Sequence, residues 1–190
     1  NNILVCHDNA YGDIYSDEFN KPVSFLNVEN AKEIGIEFYS LSKSFNMTGW
    51  RISIAVGNQS VINSLGKYKS NVDSGVFNAI QYAAAKALDN YEELIIKNNT
   101  IYNRRRQKVH SLLEKIGLSY FNSNNTIYVW TKVPEGYTSA SFAKLLLDEA
   151  SVVVTPGSAY GSNGEGYFRI SLTISDDRLE EAIDRISNVF

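Results

Sequence analysis

One cysteine, two histidines and three prolines in 190 residues leave little with which to cross-link, ligate or kink a chain. The lone Cys6 excludes an internal disulfide, and no His/Cys grouping has metal-ligand spacing. No structural metal is therefore expected, and the compartment reads as the reducing cytoplasm. Long apolar runs are also missing: nothing approaches the roughly 18 consecutive apolar residues of a membrane span. The first residues lack the basic segment of a secretory signal, so neither insertion nor secretion is expected. Charge of one sign is scarce too. With 18 Lys+Arg against 21 Asp+Glu the formal net charge is -3, which favours neither nucleic acid nor an anionic membrane surface. An initiator methionine is absent, and the chain runs at once into the apolar segment 3–6, which predicts a fragment of a longer protein.

What is present points to a folded protein. An apolar content of 44%, with 12% aromatic residues, is enough to bury a core in one large or two small domains. Apolar runs alternate with helical patterns, which predicts an α/β protein with a largely buried sheet. Strands are expected at 3–7, 34–40 and 51–56, and helices at 59–69 and 76–97. A break is expected at Lys97-Asn98-Asn99-Thr100, where Thr100 would cap a basic helix ending near Gly117. Beyond it, short strands at 118–121, 127–133, 152–155 and 167–173, with helices at 139–150 and 175–189, predict a smaller α+β domain. The expected domains are 1–98 and 99–190. All three strands of the first would end in polar residues, where open α/β sheets place their ligands.

The most informative segment is Ser40-Leu41-Ser42-Lys43-Ser44-Phe45-Asn46-Met47-Thr48-Gly49-Trp50-Arg51. A lysine just past a buried strand, among hydroxyls and eight residues before an arginine, suits an imine-forming amine beside a bound anion. The guanidinium would offer a planar fork to phosphate oxygens and the serines further donors. This segment resembles the Schiff-base motif of class I/II, fold-type I aminotransferases. The resemblance implies pyridoxal 5'-phosphate as cofactor, Lys43 as its covalent attachment and proton shuttle, and Ser40, Ser42 and Arg51 around its phosphate.

Two further segments extend the resemblance. Asp8-Asn9-Ala10-Tyr11 is similar to a family signature in which the aspartate keeps the pyridine nitrogen protonated and the tyrosine bonds the ring oxygen, roles that fall to Asp8 and Tyr11. The stretch from Thr155 to Gly161, followed by Gly164-Glu165-Gly166-Tyr167-Phe168-Arg169, resembles the small-domain motif whose arginine grips the substrate α-carboxylate. Arg169 takes that role, with an ion pair to Glu165 as its structural alternative.

The resemblance covers nearly the whole chain and implies the C-terminal half of such an enzyme: part of the large cofactor-binding domain plus the small domain, homodimeric when full-length. It implies amino-acid and 2-oxo-acid substrates, and in its detailed wording leans toward LL-2,6-diaminopimelate and 2-oxoglutarate in lysine biosynthesis. The chain alone would be inactive or nearly so. Aspartate or aromatic aminotransferases, carbon–sulfur lyases and aminocyclopropane carboxylate synthases share these motifs, as do cofactor-binding effector domains of transcription regulators. Other residues read as structural: His7 and His110 as satisfied neighbours, Arg104-Arg105-Arg106 as a solvated helical turn, Trp50 and Trp130 as packing, Cys6 as a core thiol.

Overall fold

A computed structural model describes residues 3–17 and 21–190. The chain divides into two compact units, 1–99 and 100–190. In the first, β1 (Val5–Asn9) lies parallel to β2 (Gly35–Ser40), and β3 (Ser53–Gly57) runs antiparallel along the other edge of β2. The parallel pair requires a long crossover, which includes the short helix α1 (Ala31–Ile34). Because β2 is central, its first three residues, Gly35, Ile36 and Glu37, are buried. Strand alternation sends the paired Tyr39 and Ile54 to one face. There Leu41, Met47 and Ile52 meet α4 (Asn78–Asp89), which offers Ile80, Ala83, Ala84 and Ala87 at helical spacing. Helix α3 (Gln59–Val72) is capped by the Asn58 side-chain Oδ1, which accepts from the amides of Ser60 and Val61.

Several expectations are corrected. The C-terminus of β3 does not join those of β1 and β2: Gly57 pairs with Ile36, and it is Ser53, near the start of β3, that lies beside Ser40. Residues 76–97 are not one helix, since α4 stops at Asn90 and α5 (Tyr91–Lys115) follows at once. The expected break at 97–100 lies inside α5, so Thr100 caps nothing. Asparagine favours caps and turns because its side chain competes for backbone partners, yet the buried Asn98 and Asn99 have their amides satisfied by other segments and the helix continues. Cys6 is exposed, because alternation in β1 turns it to the same face as Asp8. Trp50 is exposed as well, at the end of a 3-10 turn.

The second unit is built on an antiparallel sheet of order β4 (Tyr128–Lys132), β6 (Tyr167–Ser171), β5 (Thr155–Pro156). Phe168 of central β6 packs on Phe142 and Leu146 of α6 (Ser139–Ala150), with Ile186 of α7 (Asp176–Ser187) and Leu112 of α5 in the same core. Helix α6 starts with a reciprocal capping box between Thr138 and Ser141, at 3.1 and 2.9 Å. Residues 118–121 do not form a strand but contribute one isolated bridge, Tyr120 to Thr131. Arg104–Arg106 is not a uniformly solvated turn. Three consecutive helical positions span roughly 200° and cannot all share one face, and Arg106 points inward, donating to the Thr126 carbonyl at 2.6 Å. No helix of the described residues is long and apolar enough to cross a membrane.

Candidate active site

The C-terminal ends of β1 and β2 and the entrance to β3 form one end of the first unit's sheet. Asp8, next to last in β1, is exposed, and its carboxylate has no hydrogen bond or ion pair among the described residues. Its neighbours His7 and Asn9 point to the opposite face, as strand alternation requires, and both bond to Glu37 of β2, at 2.8 and 3.1 Å. The Ser24 hydroxyl and the Phe25 amide donate to the same carboxylate at 2.8 and 2.9 Å. Burial pushes the Glu37 carboxyl up, but these hydrogen bonds outweigh it and hold the group below the usual carboxylate range. Asp8 is thus held from behind and left unengaged in front. Tyr11 follows in a half-buried turn whose carbonyl accepts from the Ile14 amide at 3.0 Å.

Past β2 the chain closes into the short helix α2 (Leu41–Ser44), with the Ser40 hydroxyl accepting from the Ser42 amide at 3.2 Å. Ser42 is buried, and its carbonyl accepts from the Thr48 hydroxyl at 2.9 Å. Lys43 is half-buried and its amine has no hydrogen bond or ion pair among the described residues. The eight-residue interval to Arg51 acquires a geometric reason here. One helical turn, a link and the 3-10 turn Thr48–Trp50 bring the chain back antiparallel, so that Arg51 arrives just before the strand that pairs with Ser40. Arg51 is in the left-handed region, with φ 53°, a conformation that costs a non-glycine residue energy and needs support. Its Nη1 donates to the Thr48 carbonyl at 2.9 Å, which ties the turn closed, and the exposed guanidinium keeps its other donors. Asp8, Tyr11, Ser40, Ser42, Lys43 and Arg51 therefore gather at one end of one sheet.

The donor set suits the implied cofactor. A primary amine with no partner can take an aldehyde, a carboxylate with no partner can hold a protonated ring nitrogen, and hydroxyls beside a guanidinium can hold a phosphate dianion. Beneath them lie residues that sequence reasoning missed. Asp13 is buried, and its carboxylate accepts from the hydroxyls of both Tyr39 and Tyr91. Burial, then the Asp13 carboxylate, push the Tyr39 phenol far above its ordinary range.

Arg169 belongs to the second unit. It lies at the centre of β6, opposite Trp130 of β4, on the face away from Phe168. Its guanidinium carbon is 3.9 Å from the Tyr128 ring centroid and 4.8 Å from that of Tyr160. Trp130 stacks on Tyr167 at 5.7 Å beside it. The buried Nε of Arg169 has no partner. The alternative ion pair to Glu165 does not form: that carboxylate accepts instead from the amides of Ser139 and Gly166, at 2.8 and 3.0 Å. Tyr160 reaches the arginine because the preceding turn packs backbone against backbone. A Cβ on Gly157 would lie 2.1 Å from the Gly164 carbonyl oxygen, so only glycine fits.

The family model for aminotransferase class I and II matches residues 1–186. The LL-diaminopimelate aminotransferase of Dehalococcoides mccartyi is 51% identical over 187 residues, covering 98% of this chain and 48% of that protein. The enzyme of the same name from Aquifex aeolicus is 52% identical, covering 99% and 48%. Among solved structures, substrate-bound BacF from Bacillus subtilis superposes with a TM-score of 0.90 at 40% identity, covering 99% of this chain and 48% of that one. The chain spans about half the length of the curated relatives it matches. It belongs to the class I and II aminotransferases, a family of pyridoxal-phosphate-dependent enzymes.

Proposed function

We propose that the whole protein transfers an amino group between LL-2,6-diaminopimelate and 2-oxoglutarate, as one step of lysine biosynthesis. The observation that carries this reading is the unengaged Lys43 amine at the sheet end where the Asp8 carboxylate also stands without a partner. The choice of amino donor rests on the names of relatives 51% and 52% identical.

Pyridoxal phosphate, when bound, would supply an electron sink for the bond broken at the substrate α-carbon. Lys43 would hold it through its amine, and its Nζ would take the proton that leaves the substrate α-carbon. Asp8 would keep the proton on the ring nitrogen, and Tyr11 would donate to the ring oxygen. Ser40, Ser42 and Arg51 hold the phosphate, and Arg51 is supported for this by the bond that closes its own turn. Arg169 grips the carboxylate of each substrate with a planar fork whose plane Tyr128 and Tyr160 hold. Residues 1–98 are the C-terminal part of the cofactor-binding domain and 99–190 the small domain. A homodimer in the cytoplasm is the assembly and compartment that accompany this reading. The chain by itself carries part of the site and is expected to show little or no turnover, since such constellations act as units.

The test is borohydride reduction of the whole protein with pyridoxal phosphate, followed by peptide mapping and an assay of diaminopimelate against aspartate. Label on Lys43 and turnover of diaminopimelate support the reading. Label elsewhere removes its centre, and turnover of aspartate alone reassigns the donor.

A further inference from the structure

One face of α5 bears on both motif loops of the first unit. Tyr91, Ile95, Asn98 and Asn99 recur at helical spacing, and the last three are buried. Asn98 uses its whole amide. Its Nδ2 donates to the carbonyls of Lys43 and Ser44, at 2.9 and 3.1 Å, and its Oδ1 accepts from Asn46 Nδ2 at 2.9 Å. Those carbonyls belong to the last turn of α2, where a helix leaves acceptors without an internal partner. Asn99 turns to the other loop: Nδ2 donates to the Asp13 carbonyl at 2.9 Å, and Oδ1 accepts from the Tyr15 amide at 3.3 Å. Tyr91 adds its hydroxyl to the Asp13 carboxylate.

We propose that Asn98 and Asn99 are positioning residues for the cofactor, holding the peptide of Lys43 and the loop that follows Asp8 and Tyr11 in fixed register. The inference rests on the roles given above to Lys43 and Asp8. Neither asparagine touches a reacting atom. Each acts through the backbone of a loop, and adjacent helical positions suffice because their roughly 100° separation aims one amide at each loop. An aspartate at position 98 would keep the size of the side chain but set a carboxylate against two carbonyl oxygens, so the amide itself is required.

The test uses the whole protein with pyridoxal phosphate and three readouts: the cofactor dissociation constant, the pH midpoint of the visible band of Lys43-bound cofactor, and borohydride labelling of Lys43. Asn98→Asp and Asn98→Ala are each expected to weaken cofactor binding about tenfold or more, since stranding buried carbonyls costs about 1–3 kcal/mol and tenfold corresponds to about 1.4 kcal/mol. Both shift the pH midpoint and lower labelling; Asn99→Ala acts in the same direction, and Lys97→Ala, exposed on the same helix, changes none of the three. Should the Asn98 variants fail to fold, Asn46→Gly removes one bond to Asn98 while tolerating the φ of 55° at that position, and shows the same shifts at smaller size. A lowered melting temperature with an unchanged dissociation constant and midpoint overturns the proposal and leaves the pair purely structural. Failure of wild-type labelling at Lys43 instead overturns the functional reading on which it stands.

Discussion

In the first unit Lys43 and Arg51 project from turns between strands and Asp8 from the last residues of a strand, whereas in the second Arg169 projects from the middle of a central strand. The two placements need different supports. A turn has no ladder on both sides, so the segments around Lys43 and Asp8 are held by buried polar side chains: Asn98 and Asn99 under the loops, Glu37 behind β1. A strand already has its backbone fixed, so what remains is to hold a long side chain in one plane, and two aromatic rings do that for Arg169. Polar anchors constrain where a peptide sits; stacked rings constrain how a guanidinium lies.

The comparison can be broken most severely at Lys43. Lys43→Ala is expected to lower single-turnover transamination by at least about 10³-fold, with loss of borohydride labelling and an unchanged denaturation midpoint. Arg169→Lys keeps the charge but loses the bidentate fork. A fall of about 10²-fold in kcat/KM is expected, from about 2–3 kcal/mol of charge-assisted hydrogen bonding, measured by steady-state kinetics. A substrate analogue with an α-carboxamide should narrow the gap between variant and wild type. Replacing Tyr160 with leucine sharpens the contrast, because it removes only one stacking ring. It should raise KM about three- to tenfold, consistent with about 0.5–1 kcal/mol or somewhat more per cation–π contact, while cofactor affinity in the first unit stays constant.

The smallest effect is a pH dependence specific to the first unit. The folded-state pKa of Glu37 is depressed, so its contribution to stability is complete above the unfolded value, roughly 4.3, and is lost as pH falls through the lower folded value. Denaturation midpoints measured between neutral and acid pH should therefore fall less steeply for Glu37→Gln than for the wild type. Equal slopes would show that the network behind β1 does not respond to protonation of this carboxyl.

Much of this arrangement was legible beforehand, for reasons particular to each segment. The strand around Ile36 and Phe38 could be read because an apolar run between polar breaks has few other uses, and α6 matched its expected bounds because the apolar period from Ser139 onward is a local signal. Lys43 and Arg51 stood out through residue type and spacing. The continuation of α5 through Lys97–Thr100 was not legible, since Asn98 and Asn99 are weak helix formers by local preference and only partners 52 to 86 residues away in sequence reverse that. The burial of Arg106 was hidden for the same reason: its acceptor, the Thr126 carbonyl, is 20 residues distant.

The amino-acid sequence by itself determined the local chemistry: which strands alternate, where α3 and α6 start, and which amine, carboxylates and guanidinium groups were available, because these depend on residues within a turn or two of one another. Tertiary structure alone decided that β3 returns antiparallel and sets Arg51 beside Ser40, that Asp8 faces outward while its neighbours bind Glu37, and that two adjacent asparagines tie separate loops. Those outcomes depend on hydrogen bonds between segments far apart in the chain, whose energies exist only once the backbone has brought the partners within about 3 Å.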